Sequence, residues 1–230
     1  MINKNQITDV FFDLDHTLWD FEKNSALTFK KIFKKLNFQL NLNDFLSVYN
    51  EINHRYWKLY RENKISQLEL RHKRLIESFQ AIDFSFDPED INSLSNQYIL
   101  NLSTFSNLFQ GTISLLEKLK TKYQLHIITN GFEVVQLRKI KKSGLAPYFQ
   151  NIITAEKVGF KKPNPIIFVY ALDQTKTIPE KSLMIGDSLE ADILGALNMG
   201  MQAIHFNSHN EPFHNHCPMV NNLDEIKGML

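Results

Sequence analysis

Residues 7–18 read ITDVFFDLDHTL, so a short apolar run leads directly into acidic residues. The run is typical of a buried strand, although Thr8 and Asp9 interrupt it. Asp13 and Asp15 stand two residues apart just beyond its end. Carboxylates this close repel each other unless a cation compensates them. The pair therefore indicates a Mg²⁺ site or an attacking carboxylate, although such a segment alone is more often a solvated turn with a capping aspartate.

Similar short apolar runs recur in the second half of the chain. They lie at Leu125–Ile128, Ile152–Ile153, Leu183–Ile185 and Ala203–Phe206. Segments with helical periodicity separate or flank them, at Thr112–Tyr123, Glu133–Ser143, Pro165–Leu172 and Leu189–Met199. This alternation predicts an α/β fold with a parallel sheet and helices on both faces. Ligands bind beyond the carboxyl ends of such strands, which here directs attention to Asp13, Thr129 and Asp187.

Residues 21–106 break this alternation because they contain no convincing strand. Their apolar residues recur at helical spacing in the segments Asn24–Leu36, Asn43–Asn63, Gln67–Gln80 and Pro88–Leu102. We therefore expect a small helical bundle inserted after the first strand. The predicted domains are an α/β core of residues 1–18 and 107–230 and an inserted helical domain of residues 19–106.

A second acidic motif lies in residues 183–194, which read LMIGDSLEADIL. Asp187 follows a buried strand, and Gly186 before it allows the backbone to turn closely. Asp192 lies about one helical turn further along. Taken alone, this motif is accounted for by Asp187 or Ser188 capping the helix that follows.

Two further motifs supply groups that suit an anion. Thr129, Asn130 and Gly131 stand between a strand and a helix, an arrangement that can form an anion-binding nest. Lys162 precedes Pro163, which holds the lysine in extended backbone and can aim a fixed positive charge. Taken singly, the first motif is more commonly an ordinary strand–turn–helix junction, and the second an exposed basic loop.

The four motifs together, in this order and at successive strand ends, resemble the haloacid dehalogenase superfamily. The resemblance covers almost the whole chain. It implies a Rossmann-like parallel sheet core, and it implies that the helical insert is that superfamily's mobile cap in its helical form. It also implies hydrolysis of phosphate monoesters through an aspartyl-phosphate intermediate.

The resemblance assigns a role to each motif residue. Asp13 is expected to attack phosphorus, and Asp15 to protonate the leaving oxygen and then activate water. Lys162, which directly precedes the proline as the superfamily's lysine does, is expected to neutralise the nucleophile and the phosphate. The phosphate oxygens are expected to be held by Thr129, Asn130 and Gly131.

Mg²⁺ is the cofactor that the resemblance implies. Its expected ligands are the carboxylates of Asp13 and Asp187 and the backbone carbonyl of Asp15. Asp192 and Ser188 are expected in the outer shell of the metal. Most of the rate enhancement should come from charge neutralisation at the phosphoryl group.

The branch of the superfamily is narrowed by the residues around the motifs. Asp15 favours phosphoryl transfer, because an enzyme that attacks carbon has no use for this general acid. A resemblance to the branch of bacterial pyrimidine 5′-nucleotidases lies in residues 129–132, 136–138, 143–145, 158–164 and 186–195. Phosphoglycolate and sugar-phosphate phosphatases share most of these motifs, and a phosphomutase uses the same groups. A non-catalytic binding protein on the same fold is a further alternative, which the completeness of the site disfavours.

Aromatic residues are candidates for substrate contact. We expect Trp19, close to Asp15, to stack on a pyrimidine base. Tyr56, Trp57 and Tyr60 could do the same, but their helical spacing is more typical of a bundle core. His16 stands where phosphatases of this superfamily often have glycine, and we expect it to be a spectator, with contact to the leaving group as the alternative.

Composition sets the remaining expectations. The net charge of +1 gives no field that favours nucleic acid or an anionic membrane. We therefore expect a small phosphorylated metabolite as partner, with a nucleotide favoured; the oligomeric state is left open.

Cys217 is the single cysteine, and beside His214 and His216 it is more typical of a polar loop than of a metal site. The chain shows neither a signal-peptide pattern nor a membrane-spanning run, so we expect it in the cytoplasm.

Overall fold

The computed structural model describes residues 2–230, and within them six strands form one parallel sheet. The strands are β1 (Asp9–Phe12), β2 (Gln124–Thr129), β3 (Asn151–Thr154), β4 (Ser182–Gly186), β5 (Gln202–Phe206) and β6 (Met219–Val220). Their order in the sheet is β3-β2-β1-β4-β5-β6. The predicted α/β fold class is confirmed.

The predicted helical segments are helical except at some ends, and two short helices, Ala155–Val158 and Leu223–Met229, lie outside those segments. The helices are α1 (Phe21–Leu36), α2 (Leu42–Arg61), α3 (Gln67–Ala81), α4 (Pro88–Asn101), α5 (Thr112–Leu119), α6 (Glu133–Lys142), α7 (Ala155–Val158), α8 (Pro165–Thr175), α9 (Gly195–Asn198) and α10 (Leu223–Met229). The segment predicted as one helix from Leu189 to Met199 is a π-helical turn, Leu189–Leu194, followed by α9. No helix among residues 2–230 is long and apolar enough to cross a membrane.

The first strand lies at the centre of the sheet because all four of its residues are buried. It pairs with β2 on one side and β4 on the other, so that Phe12 lies opposite Ile127 and Ile185. Three of its four residues are apolar, as suits a strand that is covered on both faces, and the fourth is Asp9. The parallel register brings the carboxyl ends of β1, β2 and β4 to the same edge, where Asp13 and Asp187 begin the connections that follow.

The chain divides into two compact units, residues 1–21 with 106–230 and residues 22–105. The predicted division placed the boundaries after residues 18 and 106. The unit of residues 22–105 consists of helices that pack around aromatic side chains. Phe29 contacts Phe45, Tyr49 and Tyr98 with ring centroids 4.5–4.9 Å apart. That this unit acts as a cap remains a prediction.

Three aromatic residues of α2 lie outside that aromatic core. Tyr56, Trp57 and Tyr60 are half-buried, so the prediction that they fill the bundle interior is wrong. The buried stripe of α2 ends at Asn53, one turn before them. Tyr56 instead donates a hydrogen bond to Glu77 at 2.9 Å. Substrate contact by these three residues remains a prediction.

Candidate active site

Lys162 is a buried cation held between two carboxylates. Its Nζ lies 2.6 Å from Asp13 Oδ1 and 2.7 Å from Asp192 Oδ1, and it donates a hydrogen bond to the Ile128 carbonyl at 2.6 Å. Lys162 is 1% exposed. Burial alone would lower the pKa of Lys162, but Asp13 and Asp192 raise it above its ordinary value. The lysine therefore carries a fixed positive charge next to the predicted nucleophile.

The carboxylates of Asp13, Asp187 and Asp192 converge, with oxygens within 4.8 Å of one another. Burial, together with the charges of Asp192 and Asp187, raises the pKa of Asp13 well above its usual range, against the opposing effect of Lys162. Three acids around one lysine leave excess negative charge in a buried place. A hard divalent cation with oxygen ligands relieves such an excess, so these residues fit Mg²⁺.

Asp187 is oriented by residues from three parts of the chain. Thr17 Oγ donates to Asp187 Oδ1 at 3.1 Å, and His209 Nε2 lies 3.1 Å from Oδ2. His205 Nε2 lies 2.7 Å from the Asp187 backbone carbonyl, which can only accept, so that nitrogen carries the proton. Although burial opposes it, the hydrogen bond from His209 holds the pKa of Asp187 below its ordinary value.

Ser188 and Asp192 fix each other at the start of the π-helical turn. The Ser188 hydroxyl accepts a hydrogen bond from the Ala191 N–H at 3.1 Å, as an N-cap residue does. The Ser188 N–H donates to Asp192 Oδ2 at 3.0 Å. A Cβ on Gly186 would lie 2.3 Å from that same oxygen. Glycine at this position therefore lets Asp192 approach the cluster.

Thr129 and Asn130, two of the residues predicted to bind phosphate, form hydrogen bonds with different parts of the protein. Thr129 Oγ accepts hydrogen bonds from the Gly131 N–H at 3.2 Å and from Gln136 Nε2 at 2.7 Å. The Asn130 side chain is joined to the backbone of Lys162, with Nδ2 donating to the carbonyl at 2.9 Å and Oδ1 accepting from the N–H at 2.8 Å. This loop therefore positions Lys162 as well as offering groups to an anion.

Asp15 is held from α6 by two residues that lie outside the four motifs of the site. Lys139 Nζ lies 2.6 Å from Asp15 Oδ1 and 2.9 Å from Oδ2. Gln136 Nε2 donates to Oδ2 at 3.0 Å. The side chain of Lys139 is 2% exposed and that of Asp15 is 21% exposed. The carboxylate that was predicted to move protons is therefore ion-paired with a buried lysine.

The structure does not support stacking of a pyrimidine on Trp19. The ring is 0% exposed, and Lys139 Nζ lies over its face, 4.3 Å from the centroid. A ring in this position has no open face for a base. Trp19 instead forms part of the aromatic surroundings of Lys139.

His16 takes the left-handed conformation that the glycine of related phosphatases suggested, with φ 63°. Its ring centroid lies 4.8 Å from that of Phe21 and 4.5 Å from that of His209. Burial lowers the pKa of His16 to about 4, so the imidazole is neutral at neutral pH. His16 and His209 therefore lie against the acidic cluster on the side of Asp187.

Cys217 is half-buried in the loop before β6. Burial raises the pKa of its thiol to about 11. Its Sγ lies 3.4 Å from the Pro218 carbonyl. Within residues 2–230, Cys217, His214 and His216 do not converge as a set of ligands.

Comparison with known proteins gives consistent matches over most of the chain. Residues 10–206 match the family of haloacid dehalogenase-like hydrolases. The pyrimidine 5′-nucleotidase YjjG of Escherichia coli is 34% identical over 202 residues, covering 87% of this chain and 86% of the relative. The pyrimidine 5′-nucleotidase PynA of Streptococcus pneumoniae is 33% identical over 206 residues, covering 87% and 84%.

Two further relatives widen the comparison. A glyceraldehyde 3-phosphate phosphatase of Methanothermobacter thermautotrophicus is 34% identical over 207 residues, covering 86% of this chain and 85% of the relative. The crystal structure of the HAD-hydrolase YfnB from Bacillus subtilis, bound to magnesium, superposes with a TM-score of 0.87 at 28% identity, covering 97% and 98% of the two chains. Relatives named as nucleotidases and phosphatases confirm the predicted enzyme class, a phosphoric monoester hydrolase. The chain belongs to the haloacid dehalogenase-like hydrolases.

Proposed function

We propose that this enzyme is a Mg²⁺-dependent 5′-nucleotidase that hydrolyses pyrimidine nucleoside monophosphates. The observation that carries the phosphatase chemistry is the bridge formed by Lys162 between Asp13 and Asp192, with Asp187 beside it. This arrangement places a nucleophilic carboxylate, a fixed positive charge and a set of oxygen ligands together. The nucleotide assignment rests on the similarity to YjjG and PynA.

Two displacements at phosphorus account for the reaction. A carboxylate oxygen of Asp13 bonds to phosphorus as the bond to the leaving oxygen breaks, and protonated Asp15 gives that oxygen its proton. Ionised Asp15 then removes a proton from water, whose oxygen bonds to phosphorus and releases Asp13 with inorganic phosphate. Lys162 lies next to Asp13 in both steps and offsets negative charge on the phosphoryl oxygens.

The residues that would hold Mg²⁺ are Asp13 and Asp187, with the backbone carbonyl of Asp15. Bound Mg²⁺ would neutralise phosphoryl oxygens and the acidic cluster. Asp192 and Ser188 support this set, because Asp192 accepts from the Ser188 N–H and pairs with Lys162. The Thr129 hydroxyl and the amides of Asn130 and Gly131 would then receive the remaining phosphate oxygens.

A second candidate is a phosphatase for a small sugar phosphate, including glyceraldehyde 3-phosphate or phosphoglycolate. The identity of 34% to a glyceraldehyde 3-phosphate phosphatase favours it as a specific alternative. Both candidates use the same groups at phosphorus and differ in what binds the rest of the substrate. The prediction from Trp19 does not separate them, since that ring is buried.

The test is a comparison of kcat/KM for UMP, dUMP and dTMP with glyceraldehyde 3-phosphate, phosphoglycolate and glucose phosphates. The nucleotidase proposal expects the pyrimidine nucleotides to be preferred, because contacts to the base act in the transition state. A tenfold preference corresponds to about 1.4 kcal/mol. Asp13→Asn is the control and should hydrolyse none of them.

The possible results test the nucleotidase assignment and the phosphatase mechanism separately. A tenfold or larger preference for glyceraldehyde 3-phosphate or another sugar phosphate would replace the nucleotidase assignment and leave the phosphatase intact. Beryllium trifluoride bound to Asp13 in a crystal structure would support the aspartyl-phosphate intermediate. Wild-type turnover by Asp13→Asn would refute the mechanism.

A further inference from the structure

Lys139 is a buried lysine that the motifs of the superfamily leave unexplained. Its ammonium group lies over the rings of Trp19 and Phe21, with Nζ 4.3 Å and 5.3 Å from the ring centroids. Taking a charge out of water is costly, and an apolar side chain of similar size often gives equal or greater stability in such a place. A lysine here is therefore better explained by what it binds than by packing.

The carboxylate of Asp15 is what Lys139 binds. Nζ contacts both carboxylate oxygens, at 2.6 Å and 2.9 Å, and Gln136 Nε2 adds a third contact at 3.0 Å. An ionised carboxylate offers about four acceptor positions, so these contacts fix its plane and still leave room for a reacting oxygen. Such geometry determines where a proton can be given or taken.

Gln136 also connects Asp15 to the phosphate-binding loop. The same Nε2 that donates to Asp15 lies 2.7 Å from Thr129 Oγ. Gln136 and Lys139 are three residues apart on α6, so they project from the same side of that helix. Side chains on one face of α6 therefore contact both Asp15, the predicted acid/base residue, and Thr129, which is predicted to bind phosphate.

We propose that Lys139, assisted by Gln136, is the positioning residue that aims the Asp15 carboxylate at the oxygen that accepts and later donates the proton. The inference rests on the proposed phosphatase function and adds to it a residue outside the four motifs. Lys139 acts through Asp15 and does not itself touch the substrate.

The dependence of kcat/KM on the leaving group distinguishes this positioning role from a purely structural one. A poor leaving group needs the proton from Asp15, whereas nitrophenolate leaves well without it. We therefore expect Lys139→Met to lower kcat/KM about 10- to 100-fold for phenyl phosphate and at most about threefold for p-nitrophenyl phosphate. Lys139→Arg, which keeps the cation, should restore part of the loss for phenyl phosphate.

Two controls show whether the effect runs through Asp15. Lys142→Met replaces an exposed lysine of the same helix and should leave both substrates unchanged. In the Asp15→Asn background, Lys139→Met should add no further leaving-group dependence, because the group that it positions is gone. If Lys139→Met folds poorly, Gln136→Met, which leaves both charges in place, removes the other contact to the Asp15 carboxylate and should give a smaller difference between the two substrates in the same direction.

The experiments distinguish a failure of this inference from a failure of the proposed function. A wild-type enzyme that hydrolyses neither aryl phosphate would overturn both. If the wild-type enzyme hydrolyses both and Lys139→Met lowers them by the same factor, or lowers neither, the positioning role alone is refuted. Further leaving-group dependence caused by Lys139→Met in the Asp15→Asn background would likewise refute action through Asp15.

Discussion

The side chain of Asn130 and the backbone of Lys162 form a reciprocal pair, in which Asn130 donates to the Lys162 carbonyl at 2.9 Å and accepts from its N–H at 2.8 Å. The side-chain amide of Asn130 thus binds both the N–H and the carbonyl of Lys162. Because Lys162 carries the charge next to Asp13, the pair connects the loop that is predicted to bind phosphate to the position of that charge.

Asn130→Ala should therefore impair catalysis without unfolding the enzyme. It removes two hydrogen bonds whose net value is about 1 kcal/mol each, so we expect kcat/KM for p-nitrophenyl phosphate to fall about 10- to 100-fold. Asn164→Ala is the matched control, since Asn164 caps α8 by accepting from the Ile166 N–H at 3.0 Å. It should cost about 1 kcal/mol of stability and spare kcat/KM. Equal activity of the two variants would contradict the role given to Asn130.

Removal of metal should abolish turnover, and Mg²⁺ should restore it. Asp187→Asn should raise the Mg²⁺ concentration needed for half-maximal activity, because it removes one of the proposed charged oxygen ligands. Binding can be followed without turnover as a shift in melting temperature, since Mg²⁺ at 100 times its Kd stabilises by about 2.7 kcal/mol. Glu190→Gln, an exposed acid three residues away, is the control. Undiminished turnover in excess EDTA would count against the metal site.

The positions of Asp13 and Asp187 could be predicted because each directly follows a strand. Parallel strands bring their carboxyl ends to one edge, and Asp13 and Asp187 follow strands that the apolar runs had located. Lys162 lies in a loop, and its place beside Asp13 came from the resemblance to the family. The fold class followed from the same alternation of strands and helices.

The supporting residues could not be predicted in the same way. Lys139 and Gln136 belong to a helix, and the side of a helix that meets Asp15 depends on how the helix packs. His209 lies in a loop after β5, where no periodicity fixes the direction of a side chain. The burial of Trp19 could not be predicted for a related reason, because proximity in sequence to Asp15 does not determine which face of the ring is covered.

A pH dependence of stability is expected from Asp9, which lies in β1 away from the acidic cluster. Burial opposes it, but hydrogen bonds from His126 and Thr8 hold the pKa of Asp9 below its ordinary 3.8. The contacts measure 3.0 Å from His126 Nε2 and 2.6 Å from Thr8 Oγ. A carboxyl group whose pKa is lowered by folding stabilises the protein above its unfolded-state pKa, and that contribution is lost as the pH falls through the folded-state pKa.

Asp9→Asn tests this dependence by thermal unfolding at a series of pH values. At pH 7 the variant should be less stable by about 1–3 kcal/mol, and the difference should shrink once the pH falls below about 4. Asp173→Asn, at an exposed position on α8, should follow the wild-type curve. A difference between wild type and Asp9→Asn that stays constant down to about pH 2 would show that the charge of Asp9 is not responsible.

Gly186→Ala should damage both the site and the fold. The new Cβ would lie 2.3 Å from Asp192 Oδ2 and 2.5 Å from its Cγ, so Asp192 must move. That movement disrupts its pair with Lys162 and its hydrogen bond from the Ser188 N–H. We expect a loss of about 1–3 kcal/mol in unfolding free energy, as for other overpacked sites. We also expect kcat to fall by about 100-fold, the scale of a misplaced catalytic group.

The matched control for Gly186→Ala is Gly228→Ala. A Cβ on Gly228, in α10, meets nothing within 4 Å, so alanine should be neutral or stabilise by up to about 1 kcal/mol. Unfolding in urea gives the stability of both variants, and p-nitrophenyl phosphate turnover gives their activity. A wild-type kcat in Gly186→Ala would mean that Asp192 can move without affecting catalysis. That result would contradict the role of Asp192 in supporting Lys162.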